Sequence, residues 1–241
     1  MSDVIPRRAI ASERRPDGGG VESFDTEAAL EINAARLAHL ASLNLALAGR
    51  SVLELGAGVG HLTGFFLERN CSVVVTEARR ENLDELRRRL PQVDAKEADV
   101  EESLAHLGSF DVVFCYGVLY HLESPLRALR NMAAVCNDLL LLETMVCDAR
   151  LPVLRLEDET TSVNQALRGL AHRPSPSYLA LALNRAGFDF VYVATEPPDH
   201  PDYRFSSLGN MDTSRDGALL RGIFVASRSP LEEPGLTSLL R

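Results

Sequence analysis

The chain has 241 residues, 46% of them apolar, and a formal net charge of −9: enough for one well-buried α/β domain, too little for two large ones, and the wrong sign for an extended nucleic-acid surface. The four cysteines, Cys71, Cys115, Cys136 and Cys147, have no CxxC spacing, so neither a zinc site nor a disulfide framework is indicated. No apolar run approaches 18 residues and the polar N-terminus lacks a signal-peptide core, so the chain reads as soluble and cytoplasmic, with no membrane partner.

Residues 1–22 carry Arg14, Arg15, Pro16 and Gly18 to Gly20 and read as a flexible tail. Order is expected from near Phe24, one domain over 23–229, and a C-terminal tail over 230–241. From Thr26 to Leu47 the residues Leu30, Ala34, Leu37 and Ala41, with a second row at Leu40, Leu43 and Leu47, have helical spacing that Gly49 stops. Short apolar runs then alternate with helical patterns: strand Ser51 to Leu55, helix Leu62 to Glu68, strand Ser72 to Thr76, helix Arg80 to Leu90. The alternation continues with a strand near Val93 to Lys96, a helix around Glu102 to Leu107, a strand at Asp111 to Cys115, a helix over Pro125 to Cys136 and a strand at Leu139 to Glu143. Ser177 to Ala186 is another helix, and Phe188 to Ala194 with Arg221 to Ser227 close the chain as a hairpin-like pair of strands. The expectation is an α/β, Rossmann-like fold: seven strands in a mostly parallel sheet, the last antiparallel, helices on both faces. The irregular insertions Met145 to Arg173 and Thr195 to Asp216 are long for connections and are candidates for substrate recognition.

The first strand runs into the glycine-rich stretch SVLELGAGVGHLTGFF, residues 51–66. A strand, glycine turn and helix bring free N–H groups to the carboxyl edge of the sheet, where α/β folds bind nucleotides. A dinucleotide fingerprint wants GxGxxG, whereas the spacing here is GxGxG with His61 in the sixth position. The GKS or GKT ending of a P-loop is also missing.

Glu54-Leu55-Gly56-Ala57-Gly58-Val59-Gly60 resembles instead the first motif of the class I S-adenosylmethionine (SAM) dependent methyltransferases, and the resemblance runs from about Val52 to Ser227. It implies SAM as cofactor, with Glu54, Gly56, Ala57, Gly58 and Gly60 admitting its methionine end. Glu77, followed by Ala78 in VVVTEAR, matches the carboxylate that takes both ribose hydroxyls in that family. Asp99 in EADVEE stands where the family places an acceptor for the adenine amino group, with Val100 offering a backbone N–H. The stretch FCYGVLYHLESPLRALRNM, residues 114–132, resembles the segment after the fourth strand in a branch that includes tRNA wobble-uridine carboxymethyltransferases and many natural-product and sugar methyltransferases.

That position puts Tyr116 and Gly117 beside the sulfonium, and Tyr120 and His121 where a methyl acceptor arrives. His121 either takes the proton of an acceptor hydroxyl or hydrogen-bonds a loop carbonyl and positions Tyr120. Glu143, at the end of the fifth strand, could accept a hydrogen bond from substrate and is the catalytic alternative to His121 as the base. VNQALRGLAHRPSPSYLALALNRAGF and PPDHPDYRF resemble a subset of small bacterial methyltransferases, which makes Asn164, Arg173, His200 and Tyr203 substrate-pocket candidates by resemblance only. Asn33, Arg36 and His39 recur every third residue; Arg36 could reach the SAM carboxylate, or the three could form a solvated helix face. The (D/N)PPY motif is absent, and neither strand four nor strand five ends in the acids of a catechol-type Mg²⁺ site, so no metal is expected.

The expected activity is methyl transfer from SAM to an oxygen or nitrogen of a small-molecule acceptor, a sugar or secondary metabolite. A tRNA-modifying methyl- or carboxymethyltransferase and a non-catalytic SAM-binding module are the alternatives; the first lacks the basic region expected for RNA.

Overall fold

The structure is a computed structural model that describes residues 20–147, 149–159, 166–203 and 221–240. Residues 1–19 of the expected N-terminal tail and Asn164 lie outside the described residues. A 3-10 turn at Val21–Asp25 leads into α1 (Glu27–Ser42), whose first turn is capped by the Thr26 hydroxyl accepting from Ala29 N. The helix stops short of the expected Leu47 because Asn44 adopts φ 52°, a left-handed conformation that ends helical hydrogen bonding. Leu43 and Leu47 are still buried, from a turn and not from the helix face.

There follow β1 (Ser51–Leu55), α2 (Gly64–Leu67), β2 (Ser72–Glu77), α3 (Arg80–Arg89), β3 (Asp94–Glu97), β4 (Phe110–Tyr116), α4 (Pro125–Val135) and β5 (Cys136–Met145). The second half holds β6 (Leu154–Asp158), β7 (Leu170–Pro174), α5 (Pro176–Ala186), β8 (Phe190–Ala194), β9 (Arg221–Ser227) and β10 (Leu236–Ser238). The helix expected over Glu102 to Leu107 is only a 3-10 turn, Ala105–Leu107, closed by Gly108 at φ 96°. α5 shows helix punctuation in full: Ser175 accepts from Tyr178 N, Pro176 opens the first turn, and Gly187 ends it at φ 108°.

All seven expected strands are present in one sheet, joined by an eighth, in the order β10-β8-β9-β5-β4-β1-β2-β3. From β3 to β5 neighbouring strands are parallel, and β9 inserts antiparallel between β5 and β8. The eighth strand comes from the segment expected as a C-terminal tail, where Leu236–Ser238 pairs antiparallel with β8. β6 and β7 form a separate two-stranded sheet inside the first insertion.

Alternate residues of the central strands enter two different cores, as a parallel sheet covered on both faces requires. Leu53, Val113, Leu140 and Leu142 pack with Leu129 and Met132 of α4 and Leu179 and Leu183 of α5. Val52, Val112, Phe114, Leu139 and Leu141 pack on the other face with Leu40, Phe65 and Phe66. Chain direction reverses its winding between β1 and β4, so the carboxyl ends of these two strands open a crevice there, the usual ligand position in such sheets. Among the described residues, no helix is long and apolar enough to cross a membrane.

Candidate functional site

A cleft of about 380 Å³ opens at that crevice, walled by the loops after β1, β2, β3 and β4 and by one side of α1. Its floor is the glycine loop. Gly56 and Gly58 have φ 64° and 57°, and a Cβ on Gly58 would lie 2.6 Å from the Phe24 ring, while one on Gly56 would strike the Val118 side chain. The backbone is therefore bare where it meets the cleft, and Phe24 covers it from the N-terminal side. Asp25 holds this cover down through two hydrogen bonds from Arg89, at 2.8 and 2.6 Å, and one with His61 at 2.9 Å.

Glu77 ends β2 and is 8% exposed. Its Oε2 accepts from Gly58 N at 3.0 Å and its Oε1 from Arg79 N at 2.9 Å, so this side chain braces the glycine loop against the next strand. Glu77, like Ala78, lines the wall of the cleft. Burial raises its carboxyl above the ordinary value, partly offset by the backbone N–H donors of Arg79 and Gly58. Asp99 and Val100 also line the cleft. Asp99 Oδ1 accepts from Glu101 N at 2.9 Å, and its Oδ2 takes Arg168 Nη2 at 2.7 Å.

Three members of the motif stand behind the wall and not on it. Ala57 donates its N–H to Thr76 O at 2.9 Å, tying loop to β2. Gly60 faces α3, where a Cβ would come within 2.7 Å of Leu90 Cδ1. Glu54 is 2% exposed, Oε2 has no partner among the described residues, and burial pushes its carboxyl up to about 7. An acid whose folded pKa lies above its unfolded value of 4.5 contributes stability fully below pH 4.5 and loses it as pH rises through 7. Glu54→Gln is therefore expected to gain stability relative to the wild type between pH 5 and pH 8, on the order of 3 kcal/mol at roughly 1.36 kcal/mol per pKa unit. Urea unfolding of both proteins at the two pH values measures it, and a constant difference would remove Glu54 from the account of pH dependence.

On α1, Arg36 and His39 are buried, which rules out the solvated helix face. His39 Nε2 bonds Glu196 O at 2.9 Å. Arg36 lines the cleft beside Gly117 and binds Glu143 Oε2 at 2.8 Å, Tyr203 Oη at 3.1 Å through Nε, and Asn33 Oδ1 at 2.9 Å. Glu143 is fully buried, and its Oε1 also accepts from Tyr203 Oη and Arg221 Nη1, each at 3.0 Å. Desolvation would raise its pKa, but the two guanidinium groups outweigh that and hold the carboxyl below the ordinary range. Glu143 therefore serves as the buried counter-ion of Arg36 and Arg221 and does not line the cleft, unlike the substrate-facing position expected for it. Tyr203 belongs to the same network behind the wall, and His200 Nδ1 accepts from Asp202 N at 3.2 Å, away from the cleft.

Tyr116, Gly117, Tyr120 and His121 do line the cleft. The Tyr116 hydroxyl is buried without a hydrogen-bond partner among the described residues. Tyr120 Oη takes Arg221 Nη1 at 3.2 Å, and its ring lies 4.0 Å from that of His121. His121 Nδ1 bonds Glu159 Oε2 at 2.7 Å, a carboxylate and not the loop carbonyl of the positional alternative. Arg173 sits behind this pair, with Nη1 on Tyr120 O at 2.9 Å and Nη2 on Glu159 Oε1 at 2.7 Å. It is a support for the cleft residues and not part of the lining.

Sequence reasoning missed Phe24, Glu159, Arg168 and Arg221. Arg221 was accessible from strand alternation: it opens β9 opposite Met145, two residues beyond Glu143. Glu159 stands in LEDET with two other acids, and nothing local singles it out.

With its cradle at the switch point of a mostly parallel sheet, the chain has the architecture of a class I SAM-dependent methyltransferase. Residues 27–193 match the methyltransferase domain family, and the chain belongs to that family. Among curated relatives it is 31% identical over 184 residues to the tRNA U34 carboxymethyltransferase of Syntrophotalea carbinolica, covering 69% of this chain and 52% of that protein. An uncharacterised methyltransferase of Mycobacterium bovis is 40% identical over 91 residues, 38% of this chain and 37% of that one. The chain thus spans about half or less of the length of these relatives. Among solved structures, the N-terminal domain of EvdMO1 with S-adenosylhomocysteine (SAH) bound superposes with a TM-score of 0.61 at 27% identity, covering 82% of this chain and 80% of that one. The same domain has been solved in the presence of SAH and D-fucose, at 26% identity and the same TM-score of 0.61.

Proposed function

We propose that the chain transfers a methyl group from SAM to a hydroxyl of a small, oxygen-rich acceptor, of the sugar or secondary-metabolite kind. The observation that carries this reading is the sharing of one cleft by a glycine cradle with Glu77 and by His121 with Tyr120. The lining fits SAM: bare backbone at Gly56 and Gly58, the carboxylate of Glu77 and the guanidinium of Arg36. Bound there, SAM supplies a methyl group already activated by its sulfonium. The protein has only to position the acceptor and take its proton.

His121 takes that proton at Nε2. Burial lowers its pKa below the ordinary value, the bond to Glu159 offsetting part of the effect, so the ring is neutral and able to accept at pH 7. Phe24 and Leu167 line the cleft from outside the sheet. The net charge of −9 and a cleft of about 380 Å³ both favour a small acceptor. The likeness to a domain crystallised with SAH and D-fucose supports the same reading.

A second reading, transfer to tRNA, is favoured by the 31% identity to a tRNA U34 carboxymethyltransferase. The two readings share the cofactor half of the cleft. Glu77→Ala is expected to weaken SAM and SAH alike by about 1.5 to 3 kcal/mol, the range for hydrogen bonds to a charged group, since both carry the ribose. Isothermal titration with each ligand measures this. A loss confined to SAM would move Glu77 to the sulfonium, and absence of SAH binding by the wild type would overturn the cofactor reading itself.

A further inference from the structure

The geometry points to Glu159, clamped by Arg173, as a positioning residue that holds His121 in the Nδ1–H tautomer and so presents the Nε2 lone pair to the acceptor. This rests on the reading of His121 as the base, and it adds what the segment after β6 contributes to that base.

Glu159 is 8% exposed and every bond it makes is directed. Oε2 takes His121 Nδ1 at 2.7 Å and Ala166 N at 3.0 Å, and Oε1 takes Arg173 Nη2 at 2.7 Å. An ionised carboxylate can only accept, so the proton between it and the ring belongs to Nδ1. A neutral imidazole has one N–H, and placing it on Nδ1 leaves Nε2 as the acceptor. Nδ1 makes the only hydrogen bond of the ring among the described residues, and His121 is on the cleft wall.

Arg173 makes the arrangement rigid. Its guanidinium bonds the carbonyl of Tyr120, the residue before His121, and the far oxygen of Glu159, fixing carboxylate and imidazole to one another through their neighbours. Burial would raise the Glu159 carboxyl, but the hydrogen bonds from His121 and Arg173 outweigh it and hold it at about 2, so it is ionised throughout the working range. The charged groups acting on His121 are Glu159, which favours the imidazolium, and Arg173 and Arg221, which oppose it; the Tyr120 ring lies alongside, tilted by 47°. When the acceptor loses its proton, that proton goes to Nε2, Nδ1–H stays in place, and the imidazolium is balanced by Glu159 until it releases the Nε2 proton to water. Glu159 remains ionised.

A carboxylate that merely tied the insertion to the domain through Arg173 would leave the ring's tautomer unconstrained. The test is therefore long-range proton–nitrogen NMR on the full chain labelled with ¹⁵N-histidine, with and without SAH, the His121 signals being assigned by their absence in His121→Ala. The expected wild-type result is a protonated Nδ1 and a bare Nε2 above the titration midpoint. In Glu159→Gln the midpoint should fall by about one unit or more, because an opposite charge in contact is gone, and the Nδ1–H preference should weaken. In a labelled-SAM transfer assay the same variant should lose on the order of tenfold or more in kcat, its acid limb moving to lower pH, with SAH affinity unchanged. An Nε2–H tautomer in the wild type would overturn the proposal, and so would a midpoint and tautomer unmoved in Glu159→Gln. The wild-type spectrum decides even if that variant does not fold. It also needs no acceptor, so a failure of the base reading, seen as full turnover in His121→Ala, is distinguishable from a failure of the Glu159 assignment.

Discussion

Gly58→Val is expected to abolish binding of SAM and SAH, a loss of at least a hundredfold in Kd, in a chain that remains folded. At φ 57° a β-branched residue is strained by about 1 to 3 kcal/mol, well short of unfolding a domain with two cores. The added atoms stand where Phe24 now lies, 2.6 Å from its ring, so the cover and the loop beneath it must separate. The loop N–H of Gly58 then no longer meets Glu77 at 3.0 Å, and the cradle and its acid lose registry together. Phe24→Ala in the same background removes the collision with the ring but not the backbone strain, and is expected to restore little. Titration calorimetry with SAH, beside a thermal melt to verify folding, gives the result. Undiminished affinity would remove the loop from the cofactor site.

His121→Ala is expected to lower turnover by roughly 10² to 10⁴, with SAM affinity little changed, as for loss of a positioned general base. The sign of the pH dependence follows from the direction of the His121 shift. Burial lowers its pKa, so the wild-type rate is level at neutral pH and falls only as the solution becomes acidic enough to charge the ring, below its ordinary value of 6.5. His121→Ala should lose that limb. His121→Asn should not restore the rate, because an amide cannot take up a proton at neutral pH. Were the acid limb to persist in His121→Ala, Glu143 would not replace it as the base: it is fully buried and engaged by Arg36, Arg221 and Tyr203.

The fold was readable where burial on both faces wrote continuous apolar runs between turn residues. Ser51 to Leu55, Asp111 to Cys115 and Leu139 to Glu143 all became central strands at the expected places. What escaped was set by pairing at a distance. Leu236–Ser238 is too short and too polar to announce a strand, and becomes one only because the edge of β8 is open to it. The helix over Thr26 to Leu47 overran for a different reason: Leu43 and Leu47 keep helical spacing, yet the chain turns at Asn44 and buries them from a loop.

The same division holds at the site. The glycine loop, Glu77, Asp99 and the Tyr116 to His121 segment are local patterns at strand ends, and they line one cleft. Charge partnerships are not local. Arg36 meets Glu143 across 107 positions, Arg168 meets Asp99 across 69, and His121 meets Glu159 across 38. An acid among acids, as in LEDET, acquires its partner only when the β6–β7 pair packs against the turn that carries His121. This is why Glu143 looked open to substrate from its strand position, and why it is instead the anion between two arginines.

The proposed reaction is methyl transfer from SAM to a small hydroxylated acceptor. Incubating the full chain with methyl-labelled SAM, a mixed pool of small metabolites and bulk tRNA, then separating products by size, tests it most directly. Label is expected in the low-molecular-weight fraction, dependent on His121 and accompanied by stoichiometric SAH. Label in tRNA would contradict it, as would tight SAM binding with no transfer to either fraction.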